Sequence, residues 1–353
     1  MTKLKDTPFE NSQIILVFCS LNRIFAPIEQ IYTKMETPLV SFILTYYNLP
    51  VSMLRECIDS LLSLTLRPFE REIIIVDDGS DASPINELLS YGNDIIYIRQ
   101  HHQGLSVARN TGIQMARGTY MQFIDADDKL LQVPYEQCLD IVRYQNPDLV
   151  LFHLTSNAVV PVTIQSDDPV TGTDYMRKNN LHGSACGYIF RSAILGELRF
   201  TPGIFHEDEE FTPQLMIRAE RVFPTDARAY FYRKRKDSIL TNNSVRQRLQ
   251  RLHDARQVIF RLTEMADRMP SSDRQALQRR TAQLTMDYLY NVIRLTKSKS
   301  YFEHRVEELR RKGLFPLPAR GFTWKYTWFR RLSNSRQGRS FLLRLIPLLP
   351  KER

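Results

Sequence analysis

The chain has 353 residues, of which 43% are hydrophobic and 25% charged; this is long enough for a well-buried core and argues against a disordered chain. The net charge of +9 is uneven, because residues 320–353 hold nine Lys/Arg against the single acid Glu352, which speaks against a general nucleic-acid surface and for one basic patch at the C-terminus. The four cysteines, Cys19, Cys57, Cys138 and Cys186, stand far apart without a CxxC pair, so neither a zinc site nor a disulfide framework is expected and a reducing cytosol is the simplest setting.

Residues 1–37 carry a short apolar run, Ile14–Phe18, which is too short for a signal peptide and lacks a small-residue cleavage site. Met35 or a neighbour is read as the natural start, or 1–35 as a loosely attached extension. The pattern sharpens at Val40-Ser41-Phe42-Ile43-Leu44-Thr45, a β-branched and aromatic run bounded by Pro38, Asn48 and Pro50, which predicts a buried strand. Met53, Leu54, Cys57, Ile58, Leu61 and Leu62 then recur at helical spacing, with Ser52 as the expected N-cap. Glu72–Val76 reads as a second buried strand, followed by a helix near Ile85–Ser90, a strand at Ile95–Arg99 and a Gly-led helix from Gly104 to Ala116. A fourth strand at Tyr120–Ile124, a helix at about 135–144 and a strand at 149–153 complete the alternation. Cys57 and Cys138 fall in helical patterns and read as core residues.

Alternating apolar strands and helices predict an α/β fold with a mostly parallel, Rossmann-like sheet flanked by helices. Ligands bind such sheets at the carboxyl ends of the strands, and polar clusters follow the first, second and fourth of them. Residues 155–240 are less regular, 244–312 read as two or three helices, and 314–353 form a basic, aromatic tail. No apolar run approaches the roughly 18 residues of a spanning helix.

Asp125-Ala126-Asp127-Asp128 places three carboxylates within four residues. They repel one another unless a cation or solvent relieves them. At a strand end, residues 125 and 127 tend to point the same way, and two carboxylates can share Mg²⁺ or Mn²⁺ with substrate phosphates. Taken alone, the tetrapeptide fits a solvated Asp-rich turn equally well. Asp77-Asp78-Gly79-Ser80 also ends a strand; Gly79 can supply a positive φ and a carboxylate there can accept from a base imide or ribose hydroxyl, though the same residues suit a plain turn. In the helix opened by Gly104, Arg109 either faces phosphate or holds a carboxylate, and Asn110 can donate to a nucleotide; the GxxxxGK[ST] phosphate loop is absent. His206-Glu207-Asp208-Glu209-Glu210-Phe211 is a second acidic site, suited to a general base raised in pKa by neighbouring like charges, or to an acidic helix N-terminus.

Val40–Leu44 with Tyr46-Tyr47-Asn48, Ile74–Ser80, Gly104…Ala108-Arg109-Asn110…Gly112, Phe123–Asp128, His206–Phe211 and Tyr232-Arg233…Arg235…Ser238-Ile239 occur in order. Over about residues 38–241 this set resembles the family 2 glycosyltransferases of the GT-A fold, bacterial cell-surface polysaccharide type. The resemblance implies an inverting transferase. It would move a sugar from a nucleotide diphosphate, a UDP-sugar above others, to a carbohydrate or lipid-linked acceptor. It implies Asp77 or Asp78 at the base, with Tyr46, Asn48, Arg109 and Asn110 also on the donor. Asp125 and Asp127 would form the DxD pair for ribose and metal (Mg²⁺ or Mn²⁺), with Asp128 able to replace one of them. Asp208, or less readily Glu207, would be the base, and Arg233 and Arg235 would approach the diphosphate or close a loop. Two departures stand out: Asp81 follows Ser80 directly where the family often has Thr between Ser and Asp, and a Gln common after the first helix is absent.

The expected organisation is an extension (1–37), a GT-A domain (38–241, divided into nucleotide-sugar binding at 38–153 and an acceptor side at 154–241), a helical region (242–313) and the tail (314–353). The tail's aromatics and arginines suit peripheral contact with an anionic membrane through 320–353 at the inner face of the cell membrane, or a helix packed on the catalytic body. Two other functions share the motifs. A nucleotidyltransferase would need a Gly-rich basic loop after the first strand, where Tyr46–Pro50 stands; an inactive sugar-binding module anchored by the tail would need none of the intact carboxylates.

Overall fold

The computed structural model describes residues 37–161, 164–235 and 244–349 and the backbone of Ile15–Val17. The expectations for the rest of 1–36, for Ser238-Ile239 and for 350–353 fall outside the described residues. By contacts the chain divides into two units. The first takes the described residues within Met1–Pro169, Ala185–Gly203 and Phe223–Lys234; the second takes those within Val170–Ser184, Ile204–Val222 and Arg235–Arg353.

The first unit is built on a sheet. Its strands are β1 (Ile15–Val17), β2 (Val40–Tyr46), β3 (Arg71–Asp77), β4 (Ile96–Arg99), β5 (Tyr120–Asp125), β7 (Leu149–Leu151), β9 (Tyr188–Arg191) and β10 (Val222–Pro224), in the order β1-β4-β3-β2-β5-β9-β7-β10. The centre, β4-β3-β2-β5, is parallel, whereas β1, β9 and β7 pair antiparallel with their neighbours. β2, β3 and β5 are buried along nearly every residue, which explains their unbroken apolar runs: helices cover both faces of a parallel sheet, so no side can be polar. β1 was not expected from its short apolar run; it gains its partner only at the edge strand β4, so nothing local marks it.

The helices α1 (Val51–Leu62), α2 (Ile85–Leu88), α3 (Leu105–Met115) and α4 (Gln132–Gln145) fill the crossovers. α1 buries Leu54, Cys57, Ile58 and Leu61, the i, i+3, i+4, i+7 stripe read in the sequence. Its cap is Pro50, without a side-chain hydrogen bond, and not Ser52, which lies inside the first turn; the Met53 N–H is taken up by the Pro50 carbonyl at 3.0 Å. A Cβ at Gly112 of α3 would collide with the Ile43 side chain, so this glycine brings the helix against the sheet. A small sheet of β6 (Lys129–Leu130), β11 (Tyr230–Phe231) and β8 (Leu154–Thr155) sits beside the end of β5.

The register sets the site. Tyr46 pairs with Asp77 and Thr45 with Asp125, so the carboxyl ends of β2, β3 and β5 finish level. From β2 the chain builds outward through β3 and β4, then returns to place β5 on the other flank of β2. The point where strand order reverses therefore lies between β2 and β5, the crevice where open α/β sheets bind ligands.

The second unit is helical: α5 (Gly172–Lys178), α6 (Glu207–Met216), α7 (Val245–Asp267), α8 (Ser271–Thr296), α9 (Lys299–Arg311), α10 (Trp324–Ser333) and α11 (Arg336–Leu345). Its core joins Ile259, Leu289, Val292, Phe302 and Val306 of the longer helices to Tyr326, Phe329, Leu342 and Ile346. The inward aromatics of the tail are thus core residues. No described helix is long and apolar enough to cross a membrane.

Candidate active site

At the end of β5 the three aspartates have different surroundings. Asp128 is 1% exposed, accepts the Arg233 backbone N–H at 2.8 Å and is hydrogen-bonded by the Tyr230 hydroxyl. Burial, then the neighbouring Asp125 and Asp127 charges, push its pKa up to about 7. The Asp125 side chain keeps 38% of its surface and meets Arg109 Nη2 at 3.2 Å; Asp127 is also half-buried. Among the described residues, no group of three or more His, Cys, Asp or Glu side chains converges as a metal cage. Asp125 and Asp127 are thus the two half-exposed carboxylates of the cluster, the exposure that a cation sharing its ligands with water and a substrate diphosphate would require.

The turn is fastened from outside. The Arg233 guanidinium donates to the Asp127 carbonyl at 2.9 Å and to Glu56 at 2.6 Å. The Asp125 N–H donates to the Tyr230 hydroxyl at 3.0 Å. Tyr230, fully enclosed, therefore links both ends of the cluster, and no motif in the sequence marks it. Arg109 is itself buried against the Phe200 ring, 5.2 Å from its centroid, and offsets part of the negative charge. Of the two roles open to Arg109, holding a carboxylate is the one observed. Asn110 is placed elsewhere: both its side-chain polar atoms bond the Phe200 backbone, at 2.8 and 2.9 Å. Arg235 lies half-buried in the second unit, at the end of a described stretch.

At the end of β3, Asp77 is 0% exposed and accepts from the Ser80 N–H at 2.9 Å and the Tyr97 hydroxyl at 2.6 Å. Asp78, 4% exposed, accepts from Gln100 Nε2 at 2.7 Å and from the N–H groups of Gln103 and Gly104 at 2.9 and 2.8 Å. A carboxylate there suits the unpaired donors and positive dipole at the start of α3. Asn48, exposed after β2, ties that loop to the one after β3: its amide and carbonyl engage Asp81 at 3.1 and 2.8 Å, and its N–H donates to Ser80 Oγ at 2.9 Å. Tyr46 donates to the Leu49 carbonyl at 2.6 Å. Tyr47 stacks on His102, centroids 4.1 Å apart and rings 18° from parallel, and both are exposed.

Gly79 has φ +76°, and a Cβ there would stand 2.7 Å from the His102 backbone nitrogen. Gly79→Ala is therefore expected to cost about 2 kcal/mol of stability, measured as a lowered urea midpoint.

In the second unit, α6 starts from His206, whose φ of +65° is left-handed. The four acids of its first turn do not share one role. Glu209 pairs with Arg280, and Glu210, buried, is gripped by both Nε and Nη2 of Arg261 at 2.5 and 3.0 Å. The crowding of like charge expected around Asp208 is thus relieved by arginines of α7 and α8. Asp208 Oδ1 accepts the Glu209 N–H at 2.8 Å, and Glu207 and Asp208 are half-buried. Phe211, three residues on, is buried and anchors the turn. Asp254 of α7 accepts the Phe205 N–H at 3.1 Å, fixing the backbone before His206. Arg261→Ala would leave Glu210 as a buried carboxylate without its cation; a loss of about 2 kcal/mol in thermal or urea unfolding is expected. The described cysteines, Cys57, Cys138 and Cys186, are buried, and burial pushes the Cys138 thiol up to about 12, as a core role requires.

Residues 41–195 match the profile of glycosyl transferase family 2. The chain carries a glycosyl transferase family 2 domain. An uncharacterized glycosyltransferase of Bacillus subtilis, EpsJ, is 32% identical over 219 residues, covering 57% of this chain and 63% of that protein. The chain spans less than two thirds of the length of the first curated relatives it matches. Among solved structures, S. aureus TarS with bound UDP-GlcNAc aligns with a TM-score of 0.60 at 17% identity, over 87% of this chain and 90% of that one. The Pyrobaculum calidifontis mannosyltransferase PcManGT, with GDP-Man and Mn²⁺, aligns at 0.53 and 14% identity, over 89% and 88%. These two share the fold: the α/β architecture expected from the strand–helix alternation, of the GT-A type that the family resemblance implies.

Proposed function

We propose that the protein is an inverting glycosyltransferase that moves a sugar from a nucleotide diphosphate to a carbohydrate or lipid-linked acceptor in cell-surface polysaccharide synthesis. The observation that carries this reading is the pair Asp125 and Asp127, half-exposed beside the point where strand order reverses, in a family 2 domain. The nucleotide sugars held by TarS and PcManGT support such a donor, and we take it to be a UDP-sugar. Asp125 and Asp127 would hold Mg²⁺ or Mn²⁺; when bound, that ion supplies positive charge to the departing diphosphate. Asp128 keeps the turn in shape from below, and Arg109 and Arg233 hold its two ends. Asp78 positions the loop into α3, and the exposed Tyr47 offers a ring to the base.

Asp208 is the base of this reading. It takes the proton of the acceptor hydroxyl as that oxygen bonds to the anomeric carbon; the bond from that carbon to the diphosphate breaks, and the nucleoside diphosphate leaves with the electron pair. A single displacement of this kind inverts the anomeric centre. The basic segment 320–353 would meet the inner face of the cell membrane, where a lipid-linked acceptor resides.

Incubation with a panel of nucleotide sugars and Mn²⁺ tests the reading. Release of a nucleoside diphosphate with one donor is the expected result. Release of pyrophosphate from a sugar phosphate and a nucleoside triphosphate would make it a nucleotidyltransferase. Binding of a sugar without turnover of any donor would make it an inactive module.

A further inference from the structure

We propose that the outer faces of α10 and α11 form a docking surface for an anionic lipid bilayer. This rests on the reading above, that the basic C-terminal segment meets a membrane, and assigns the residues that do so. Along α10, Tyr326, Phe329 and Ser333 point into the core, and the opposite stripe is Trp324, Trp328 and Arg331. Along α11, Gly338, Leu342 and the following Ile346 are buried, and the outer stripe is Phe341, Arg344 and Leu348. An outer helix face normally carries charge and small polar groups. Here Trp324 is 75% and Leu348 80% exposed, with Trp328, Phe341 and Leu349 also exposed.

The charge of this region names the partner. Residues 320–349 hold seven Lys/Arg and no Asp or Glu. Arg339 is tied to Glu303 of α9 through both carboxylate oxygens, at 3.0 and 3.1 Å. Among the described residues, Arg331, Arg336 and Arg344 have no carboxylate partner. Aromatic rings interleaved with arginines suit the interface of an anionic leaflet, where the rings enter the headgroup region and the cations meet phosphates. Exposed leucines would gain nothing from a nucleic-acid backbone. The surface is also built in advance. Thr323 caps α10 and Ser335 caps α11, at 3.1 and 3.0 Å. Asn334 locks the connecting turn to Leu317 through two bonds of 3.0 Å. Docking therefore does not have to order these helices first.

Co-sedimentation of the full chain with vesicles tests this. Mixed phosphatidylcholine–phosphatidylglycerol vesicles are expected to bind the protein, and phosphatidylcholine alone to bind it far less, with release by high salt. Arg331→Ala with Arg344→Ala should weaken binding about thirtyfold, and Trp324→Ser with Trp328→Ser should weaken it at every salt concentration. Nucleotide release from a free donor should be unchanged in both double variants, since none of these residues belongs to the donor site. Wild-type binding by the variants, equal binding to both vesicles, tighter binding to a random DNA duplex, or no vesicle binding by a protein that sediments as a dimer would each overturn the proposal. Failure of nucleotide release with intact vesicle binding would instead sink the transferase reading.

Discussion

Asp127→Ala is expected to reduce nucleotide release by about a thousandfold, about 4 kcal/mol of transition-state stabilisation, with little change in melting temperature. The two halves of this expectation have separate causes. Position 127 contributes to the turn through its backbone carbonyl, which accepts Arg233 Nε at 2.9 Å, and alanine keeps that carbonyl. What alanine removes is a half-exposed carboxylate beside the strand-order reversal, where the proposed cation and diphosphate sit. Asp128→Ala should behave in the opposite sense. Its carboxylate accepts the Arg233 N–H and lies buried with Tyr230, so its loss leaves buried donors unmatched and costs about 2–3 kcal/mol of stability. Donor titrations with Mn²⁺ beside thermal melts separate the two. A stable but inactive Asp128 variant, together with an unstable but active Asp127 variant, would mean that the other register of the cluster holds the metal.

Much of this arrangement is legible in the chain, and the reason is locality. β2, β3 and β5 are buried on both faces, so each reads as an apolar run, and each run ends in the polar residues that face the crevice. Gly79 and Gly112 are legible for a similar reason, because a positive φ and a close helix–sheet approach exclude a side chain. What a sequence does not show is which partner a polar side chain takes. Asn48 and Asn110 read as ligand contacts, yet one clamps Asp81 and the other the Phe200 backbone. Tyr97 and Tyr230 carry no motif, yet they hold Asp77 and the Asp125–Asp128 turn. The arginines that match Glu209 and Glu210 stand 71 and 51 residues away, too far for any spacing rule. The tail shows the same limit: Tyr326 and Trp328 lie two residues apart in one aromatic stretch, and only the phase of α10 sends the first inward and the second out.

Asp208→Asn should leave donor affinity unchanged and reduce sugar transfer by about a hundredfold to ten-thousandfold, the usual span for loss of a general base. Asparagine keeps an oxygen that can accept the Glu209 N–H, as Asp208 Oδ1 does at 2.8 Å, so the first turn of α6 need not rearrange. The charge that would take the acceptor's proton is gone. Donor affinity should survive because the donor-side groups proposed above, from Tyr47 to Arg233, belong to the first unit, whereas Asp208 belongs to the second. Glu207→Gln is the matched control and should cost less. Glu209→Gln and Glu210→Gln should act mainly on stability, because Arg280 and Arg261 already engage those carboxylates. The decisive measurement is the KM for donor against kcat for transfer in the Asp208 variant. A fall in kcat at constant donor KM fits the base. A weakened donor would instead mean that Asp208 maintains the shape of the left-handed turn at His206, and the proton would have to leave through another group.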